Sequence, residues 1–456
     1  MTETNSAAIE TPGVFYPQDF SLQTLNFLTA SGQRFELKKV MVEMSYFEDI
    51  YNFVVSGYIT IVDAQGFIEL FKITGNEFIE VNFGKVKGVS NSTDQLFRVY
   101  KSSARKPSGN QNSEVYTLYF CSEELLLSEQ IKVSKSFNGT EISNIIKDVL
   151  LNTLKVKPSN IFNIEPTAGV YDFVIPNLKP LESISWLSTY ARPEKLAKYP
   201  GADMLFFETK DGFQFRSLQS MFSEPVYATY KYEAKNIDDK RQTFQEKSIG
   251  VLNYEITKPF DTLNEISSGT LANKLISIDP LTRTVRTTTF DYEKNNGVKL
   301  NKGGIQDSMK NRLGIKANEA YDSVLKVSVG NAGERNVPYI KAAEGSVAQD
   351  VFVETYIPSR TAQISLANFT TIKATIPGDP GLTAGRTINF NLLSLKPGNE
   401  RELDQLYSGK YLVTAVRHII QQGAYQTVIE ICKDSFPKDL PDINTDTTAW
   451  RDSVNE

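Results

Sequence analysis

Residues 75–83, Gly75-Asn76-Glu77-Phe78-Ile79-Glu80-Val81-Asn82-Phe83, decide the fold class. Polar and apolar side chains alternate from Glu77 to Phe83, as in a strand buried on one face and wet on the other. The reading extends outward from there. Phe53 to Val62 is a run of apolar and β-favouring residues that predicts a buried strand, with Gly57 as a place for a bend. Phe97-Arg98-Val99-Tyr100-Lys101 and Val115-Tyr116-Thr117-Leu118-Tyr119-Phe120 flank the polar loop KPSGNQNSE and predict a hairpin. Residues 20–122 therefore read as an antiparallel sheet or barrel, preceded by a polar arm, 1–19, in which Phe15 and Tyr16 are possible anchors.

The pattern returns near the other end of the chain. Gly385-Arg386-Thr387-Ile388-Asn389-Phe390-Asn391 opens a strand as Gly75 does, and Thr427 to Lys433 matches Tyr116 to Ser122. Cys121 and Cys432 each close the final strand of their region. The glycine-to-cysteine spacing is 46 (75 to 121) in the first region and 47 (385 to 432) in the second. Duplication of one β module is the physical reading; chance similarity between alternating strands is the bland one.

Between these regions the periodicity changes. Ile142, Ile145, Ile146, Val149, Leu150 and Leu154 fall at helical spacing, with Asn138 or Thr140 as the N-cap. Pro180 suits the first turn of a second helix burying Leu181, Ile184, Leu187 and Ala191. Lys210-Asp211-Gly212 between alternating segments predicts another hairpin. Residues 123–245 thus read as a small α/β domain. Residues 246–350 read as an insertion, with strands at Val251–Ile256 and Thr284–Tyr292 and a Gly-, Asn- and Lys-rich stretch at 293–347. The β signal resumes near Val351 and runs to 436 through FTTIKAT, the turn cluster Pro377-Gly378-Asp379-Pro380-Gly381, and strands at 386–393, 410–416 and 425–431. Residues 437–456 read as an extended tail with Trp450 as a possible anchor.

Composition removes much chemistry. The 456 residues hold 27 Phe and 21 Tyr against 2 Trp, a bias toward strand formers. The single histidine rules out a His-rich zinc site, and two cysteines allow no disulfide framework. A net charge of −5 disfavours tight binding to phosphate backbones. The polar, acidic start lacks the look of a secretory signal, and no apolar run approaches the ~20 residues of a membrane span.

Each candidate site has a structural counterpart. His418, in AVRHII, has no companion ligand pattern and reads as a structural or interface histidine. The carboxylate pairs Glu48-Asp49, Glu123-Glu124 and Asp238-Asp239 read as solvated surface, since adjacent side chains diverge and glycosidase chemistry needs two carboxylates facing across a cleft. Glu430, Asp439 and Thr445 have a spacing similar to that of phage-type lysozymes, but Glu430 lies in a predicted strand without the surrounding domain. Gly303-Gly304 and Gly330-Asn331-Ala332-Gly333 form no phosphate-binding motif and read as loops. Asn138-Gly139-Thr140, formally a glycosylation acceptor, reads as a helix cap, and both cysteines read as buried apolar thiols.

Four stretches taken together resemble one family. They are SEELLLSEQIKVSKSFNGTEISNII (122–146), PLESISWLSTYARP with MLFFETKDGFQFRSLQSMF (180–193 and 204–222), SSGTLANKLISIDPLTRTVRTTTFDY (267–292), and IPGDPGLTAGRTINFNL with YSGKYLVTAVRHII and YQTVIEICKDSF (376–392, 407–420, 425–436). In order and number they resemble the central baseplate hub proteins of T-even-like contractile-tailed phages. The resemblance covers most of 20–436 and implies an α+β, mainly β fold. It places two tail-tube-like antiparallel β-barrels at 20–122 and 351–436, the latter with 246–260 as a candidate addition. It further implies a homotrimer in the virion baseplate, assembled in the bacterial cytoplasm. The trimer would have the tail tube protein above, the spike protein below, wedge proteins as neighbours, and DNA passing through without specific binding. Three copies of a two-barrel chain would present six similar units to the tube, and open barrel edges would be satisfied by joining neighbours into extended sheets. No catalytic residue, cofactor or metal is expected. The hub of a phage-tail-like injection machine, and a hub that also hydrolyses cell wall, are the alternatives.

Overall fold

Two runs of strands far apart in the chain are laid edge to edge in one 13-stranded sheet. The computed structural model describes residues 20–71, 73–85, 93–107, 113–195, 201–232, 250–279, 283–292, 298–303, 321, 325–329, 353–367, 369–394 and 402–438. The first run comprises β1 (Phe20–Leu28), β2 (Arg34–Glu36), β3 (Met41–Asp49), β4 (Ser56–Asp63), the short helix α1 (Phe67–Phe71), β5 (Phe78–Lys85), β6 (Thr93–Pro107) and β7 (Glu114–Cys121). They lie in the order β3-β4-β7-β6-β5-β1-β2. The alternation read from Glu77 onward is β5, whose Ile79, Val81 and Phe83 are fully buried with Ile59, Phe97, Leu118 and Phe120. Gly57 makes no bend. It sits in β4 where a Cβ would fall 2.3 Å from the Phe120 ring and 2.4 Å from the Ser45 carbonyl, so its smallness serves close packing.

The α/β region contains α2 (Glu123–Gln130), β8 (Val133–Thr140), α3 (Ile142–Asp148, continued by a π turn over Val149–Thr153), β9 (Ile161–Ile164), β10 (Tyr171–Leu178), α4 (Pro180–Ser188), β11 (Met204–Thr209), β12 (Gly212–Ser217) and α5 (Leu218–Phe222). The predicted apolar row from Ile142 to Leu154 is wholly buried, and Pro180 opens α4 as expected. The cap differs. Asn138 and Thr140 belong to β8, where Thr140 pairs with Tyr171 and the Gly139 N–H donates to Asp172, so Glu141 becomes the N-cap of α3. Lys210 and Asp211 form the predicted turn between β11 and β12.

The remaining elements are β13 (Val226–Tyr232), β14 (Asn253–Lys258), α6 (Thr262–Ser267), β15 (Ala272–Asp279), β16 (Thr284–Asp291), β17 (Leu325–Val329), α7 (Val353–Ala367), β18 (Thr370–Pro377), β19 (Thr387–Leu392), β20 (Gly409–Gln421) and β21 (Ala424–Lys433). Strands β15–β17 form a separate sheet in the order β16-β15-β17. Helix α7 stands where strand character was expected from Val351. Tertiary packing decides this segment: Asn273 donates to the Pro358 carbonyl at 3.1 Å, and Arg360 reaches the carbonyls of Ser188 and Ala202 at 3.0 and 2.7 Å. Strand β13, in the stretch read as α/β, pairs with β19.

The two strand sets share one topology. The second runs β14-β18-β21-β20-β19-β13, matching β3-β4-β7-β6-β5-β1 strand for strand. The register agrees as well. Cys121 pairs with Ser56 and Arg98, and Cys432 with Thr371 and Leu412. One bulge recurs at the same step, between Val99 and Lys101 in β6 and between Val413 and Ala415 in β20. One pairing departs: β1 is antiparallel to β5, whereas β13 is parallel to β19.

The mainly β fold expected from the sequence is present, and among the described residues no closed barrel occurs at 20–122 or 351–436. Among the described residues the sheet path is open, ending at β2 and β14, because β20 pairs with β3 and fuses the two sets. In the first set the Leu37 N–H to Leu25 carbonyl contact at 2.8 Å continues the β1–β2 ladder, while in the second the Val251 N–H reaches from just before β14 to the Lys231 carbonyl of β13 at 2.9 Å.

Candidate functional site

The seam that fuses the two strand sets joins β20 to β3. The first half of β20 pairs with β19, and its second half extends beyond β19 to meet β3 from Ala415↔Asp49 to Gln421↔Glu43. Alternation along these strands sends successive side chains to opposite faces. On the outer face Arg417 lies over the rings of Phe47 and Tyr58 and donates to the Tyr58 hydroxyl at 2.7 Å, with Glu43 at 3.4 Å. Partial burial raises the Glu43 carboxyl, but hydrogen bonds from Tyr58, Gln421 and Ser45 and the Arg417 charge carry it below its ordinary value.

On the inner face His418 pairs with Tyr46 and packs against the rings of Phe83 and Tyr425. Its Nδ1 lies 2.9 Å from the Tyr425 hydroxyl. Burial, followed by the Lys210 charge, drives its pKa down to about 3. The ring is neutral and enclosed.

Behind it the tip of the β11–β12 hairpin is wedged between the two strand sets. Glu48 is buried, accepting the Lys210 N–H at 2.7 Å through one oxygen and the Ala384 N–H at 2.9 Å through the other. Burial raises its pKa to about 7. Glu208 accepts the Val55 N–H at 2.9 Å and the Ser122 hydroxyl, and burial raises it to about 8. Asp379 takes the hydroxyls of Tyr230 at 2.9 Å and Tyr227 at 3.2 Å. Arg386 reaches Asp211 at 3.6 Å while stacking over Tyr227. One carboxylate, Glu48, thereby ties together the first strand set, the α/β hairpin and the second strand set. Its oxygens are occupied by backbone donors, so the arrangement is a mechanical joint.

The sequence-derived candidates are scattered. Glu48, expected on the surface, is buried, because neighbours on a strand face opposite ways and Glu48 takes the inward position. Glu123 is exposed and Glu124 half-buried at the rim of a cleft of about 640 Å³ that also contacts Glu208 and Asp211. Glu430 is exposed on β21, accepting from Thr414 at 3.3 Å, and not at a helix end. Asp439, Thr445, Asp238, Asp239, Gly304 and Gly330–Gly333 lie outside the described residues, while Gly303 packs against Phe436 and Lys438. Both cysteines are free and buried. Among the described residues no cluster of three or more His, Cys, Asp or Glu has the form of a metal site. Lys210, Glu208 and Asp379 were missed as joint residues. Only Asp379, an acid inside a Pro-Gly turn cluster, carried a local signal.

The overall fold is shared with solved tail proteins. Over 412 residues the chain is 24% identical to the probable baseplate hub protein gp334 of Vibrio phage KVP40, covering 87% of this chain and 90% of that protein. The fold is shared with the 43 kDa tail protein of prophage MuSo2 from Shewanella oneidensis, at a TM-score of 0.51 and 11% identity, covering 91% of this chain and 99% of the other. It is shared also with a tail protein from Neisseria meningitidis MC58, at a TM-score of 0.50 and 11% identity over 91% and 97% of the two chains. No family model matches. The resemblance to phage baseplate hub proteins drawn from the sequence is borne out.

Proposed function

We propose that the chain is a homotrimeric hub that adapts a six-fold tail tube to a three-fold central spike and lines part of the path of the DNA. The carrying observation is the duplicated strand order, β3-β4-β7-β6-β5-β1 and β14-β18-β21-β20-β19-β13, held side by side in one sheet. Three copies would offer six alike units to a tube. The α/β region and the β15–β17 sheet with α7 occur once per chain, so they would repeat three times and suit a spike. Closed symmetric assembly requires such matching of units to interfaces. A net charge of −5 suits passage of DNA without adhesion.

The partners on this reading are the tube protein above, the spike protein below and wedge proteins at the rim, in the virion baseplate. No catalytic step is assigned. Among the described residues no helix is long and apolar enough to cross a membrane.

The test is native mass measurement and electron microscopy of the full chain, alone and mixed with its tube and spike proteins. A three-copy ring with six similar lobes on one face is expected. A chain that stays monomeric in every mixture overturns the reading. Sustained peptidoglycan hydrolysis abolished by Glu430→Gln would overturn the non-enzymatic assignment.

A further inference from the structure

The tripeptide Asn138-Gly139-Thr140, read from the sequence as a helix cap, is left without that role, since Glu141 caps α3. It forms a bulge in β8 instead. Thr140 pairs with Tyr171 and Phe137 with Phe173, so Asn138 and Gly139 together stand opposite Asp172 alone. Gly139 has φ +54°, in the left-handed region that favours glycine. The bulge thus places after Asn138 the one residue type with no side chain to shield its own amide nitrogen.

Two hydrogen bonds act on the peptide group between Asn138 and Gly139. The Gly139 N–H donates to Asp172 Oδ1 at 2.7 Å. The Thr140 hydroxyl donates to the Asn138 carbonyl at 3.0 Å, which draws electron density from the same peptide group and makes its N–H more acidic. Asn138 itself is exposed, and its carboxamide takes no hydrogen bond from the described residues. An amide that can be attacked, a nitrogen that can attack it and a carboxylate on that nitrogen's proton are therefore gathered in one bulge.

We propose that Asn138 is a modification site, at which the chain deamidates itself with Asp172 as the general base and water as the co-reactant. Asp172 takes the proton from the Gly139 nitrogen, and that nitrogen attacks Cγ of Asn138. A C–N bond forms and closes a cyclic imide. The bond from Cγ to the side-chain nitrogen breaks, and that nitrogen leaves as ammonia with the proton returned by Asp172. Water then opens the imide at either carbonyl. One product is aspartate at 138; the other is isoaspartate, whose main chain runs through the former side chain. A carboxylate within hydrogen-bond reach of the proton to be moved meets the geometric condition for general-base catalysis, and attack by the adjoining residue supplies its own proximity.

The change would fall where the fold has little to spare. Strands β8 and β10 make a two-stranded sheet. A carboxylate at 138 faces Asp172 across the pair, and like charges placed so are destabilising. Isoaspartate also lengthens β8 by one backbone carbon between Phe137 and Thr140. Phe137 and Phe173 pack on the core of the α/β region, Phe173 against the Trp186 ring.

The test follows Asn138 in the full-length chain by peptide mapping with mass spectrometry, with isoaspartate counted by enzymatic methylation. The chain is held folded at neutral pH and, in parallel, unfolded in denaturant. Conversion in the folded parent at least as fast as in the unfolded chain is expected. Asp172→Asn keeps an acceptor for the Gly139 N–H but removes the base; it should slow conversion several-fold in the folded chain and leave the unfolded rate unchanged. The folded parent's rate should also rise less steeply between pH 6 and 8 than that of Asp172→Asn, in which hydroxide must act. A folded parent that converts several-fold more slowly than its unfolded form overturns the proposal, and this comparison needs no variant. A folded rate and pH profile unaltered by Asp172→Asn, in a variant with the parent's circular dichroism, overturns it as well, because the base is then not Asp172.

Discussion

Cys121 and Cys432, 311 positions apart in the chain (121 to 432), occupy the same place in two copies of one strand pattern. Each ends the last strand of its set, and each is flanked by the counterparts of the other's neighbours, Ser56 and Arg98 or Thr371 and Leu412. Equivalence at this level includes the shared bulge one step beyond, after Val99 and Val413. Alternation alone explains neither the bulge nor the strand order, so duplication of a module accounts for more than chance similarity does.

The two thiols should be silent in the native protein. Burial, reinforced by the Glu208 and Glu124 charges, pushes the Cys121 thiol up to about 12, and burial pushes Cys432 well above its ordinary value. The thiolate is the reactive form. Thiol titration at pH 8 should find essentially none reactive in the folded chain and both after denaturation. Rapid native labelling of either would contradict the packing at the ends of β7 and β21.

Gly57 should tolerate no side chain. A Cβ there would meet both the Phe120 ring and a backbone carbonyl, and the backbone cannot move without disturbing β3. Overpacking of this kind costs typically ~1–3 kcal/mol, occasionally more. Gly57→Ala should lower the denaturation midpoint accordingly. A variant as stable as the parent would mean that β4 and β7 are further apart than described.

What was legible in the sequence followed local periodicity. The strand at Phe78 and the helix at Ile142 could be read because each buries one face at regular spacing. Helix α7 could not, since Pro358 and a weak apolar pattern hide a segment held by Arg360 and Asn273 contacts to distant carbonyls. The partner of β13 was equally hidden: Val226 meets Thr387 across a long intervening chain, and nothing in VYATYKY names that strand. Glu48 was misplaced for a similar reason, because its two donors, on Lys210 and Ala384, come from distant segments. The seam is a property of the assembled sheet, and its residues carry no motif.

The two faces of that seam should respond differently to truncation. Glu48→Ala leaves the N–H groups of Lys210 and Ala384 without their acceptor inside the core. At ~1–3 kcal/mol for each of the two unsatisfied groups, a loss of roughly 2–6 kcal/mol is expected. Arg417→Ala removes a half-exposed cation whose pairing with Glu43 is worth at most about 1 kcal/mol. Denaturant titration of both variants checks the ranking. An equal or reversed order would show that the joint is held from outside.

His418 supplies an imidazole signal free of overlap, since it is the chain's single histidine. Its folded pKa of about 3 lies far below the ordinary ~6.5 of an unfolded chain. Above pH 6.5 both states are neutral and the histidine contributes no pH dependence. As pH falls from 6.5 toward 3 the unfolded state takes up a proton that the native state refuses, so stability falls by up to ~1.4 kcal/mol per pH unit. Glu48 and Glu208 act in the opposite sense. Their folded values of about 7 and about 8 lie above the unfolded carboxylate range, so they favour the native state at low pH and lose that advantage as pH rises toward 8. The total curve therefore mixes opposing slopes, and the histidine is isolated by difference. The stability gap between the parent and His418→Gln should narrow as pH drops from 6.5 to 4.5, and the imidazole resonances of the native protein should not shift between pH 8 and 5. A titrating imidazole with a midpoint near 6.5 would place His418 in contact with water and remove it from the core of the seam.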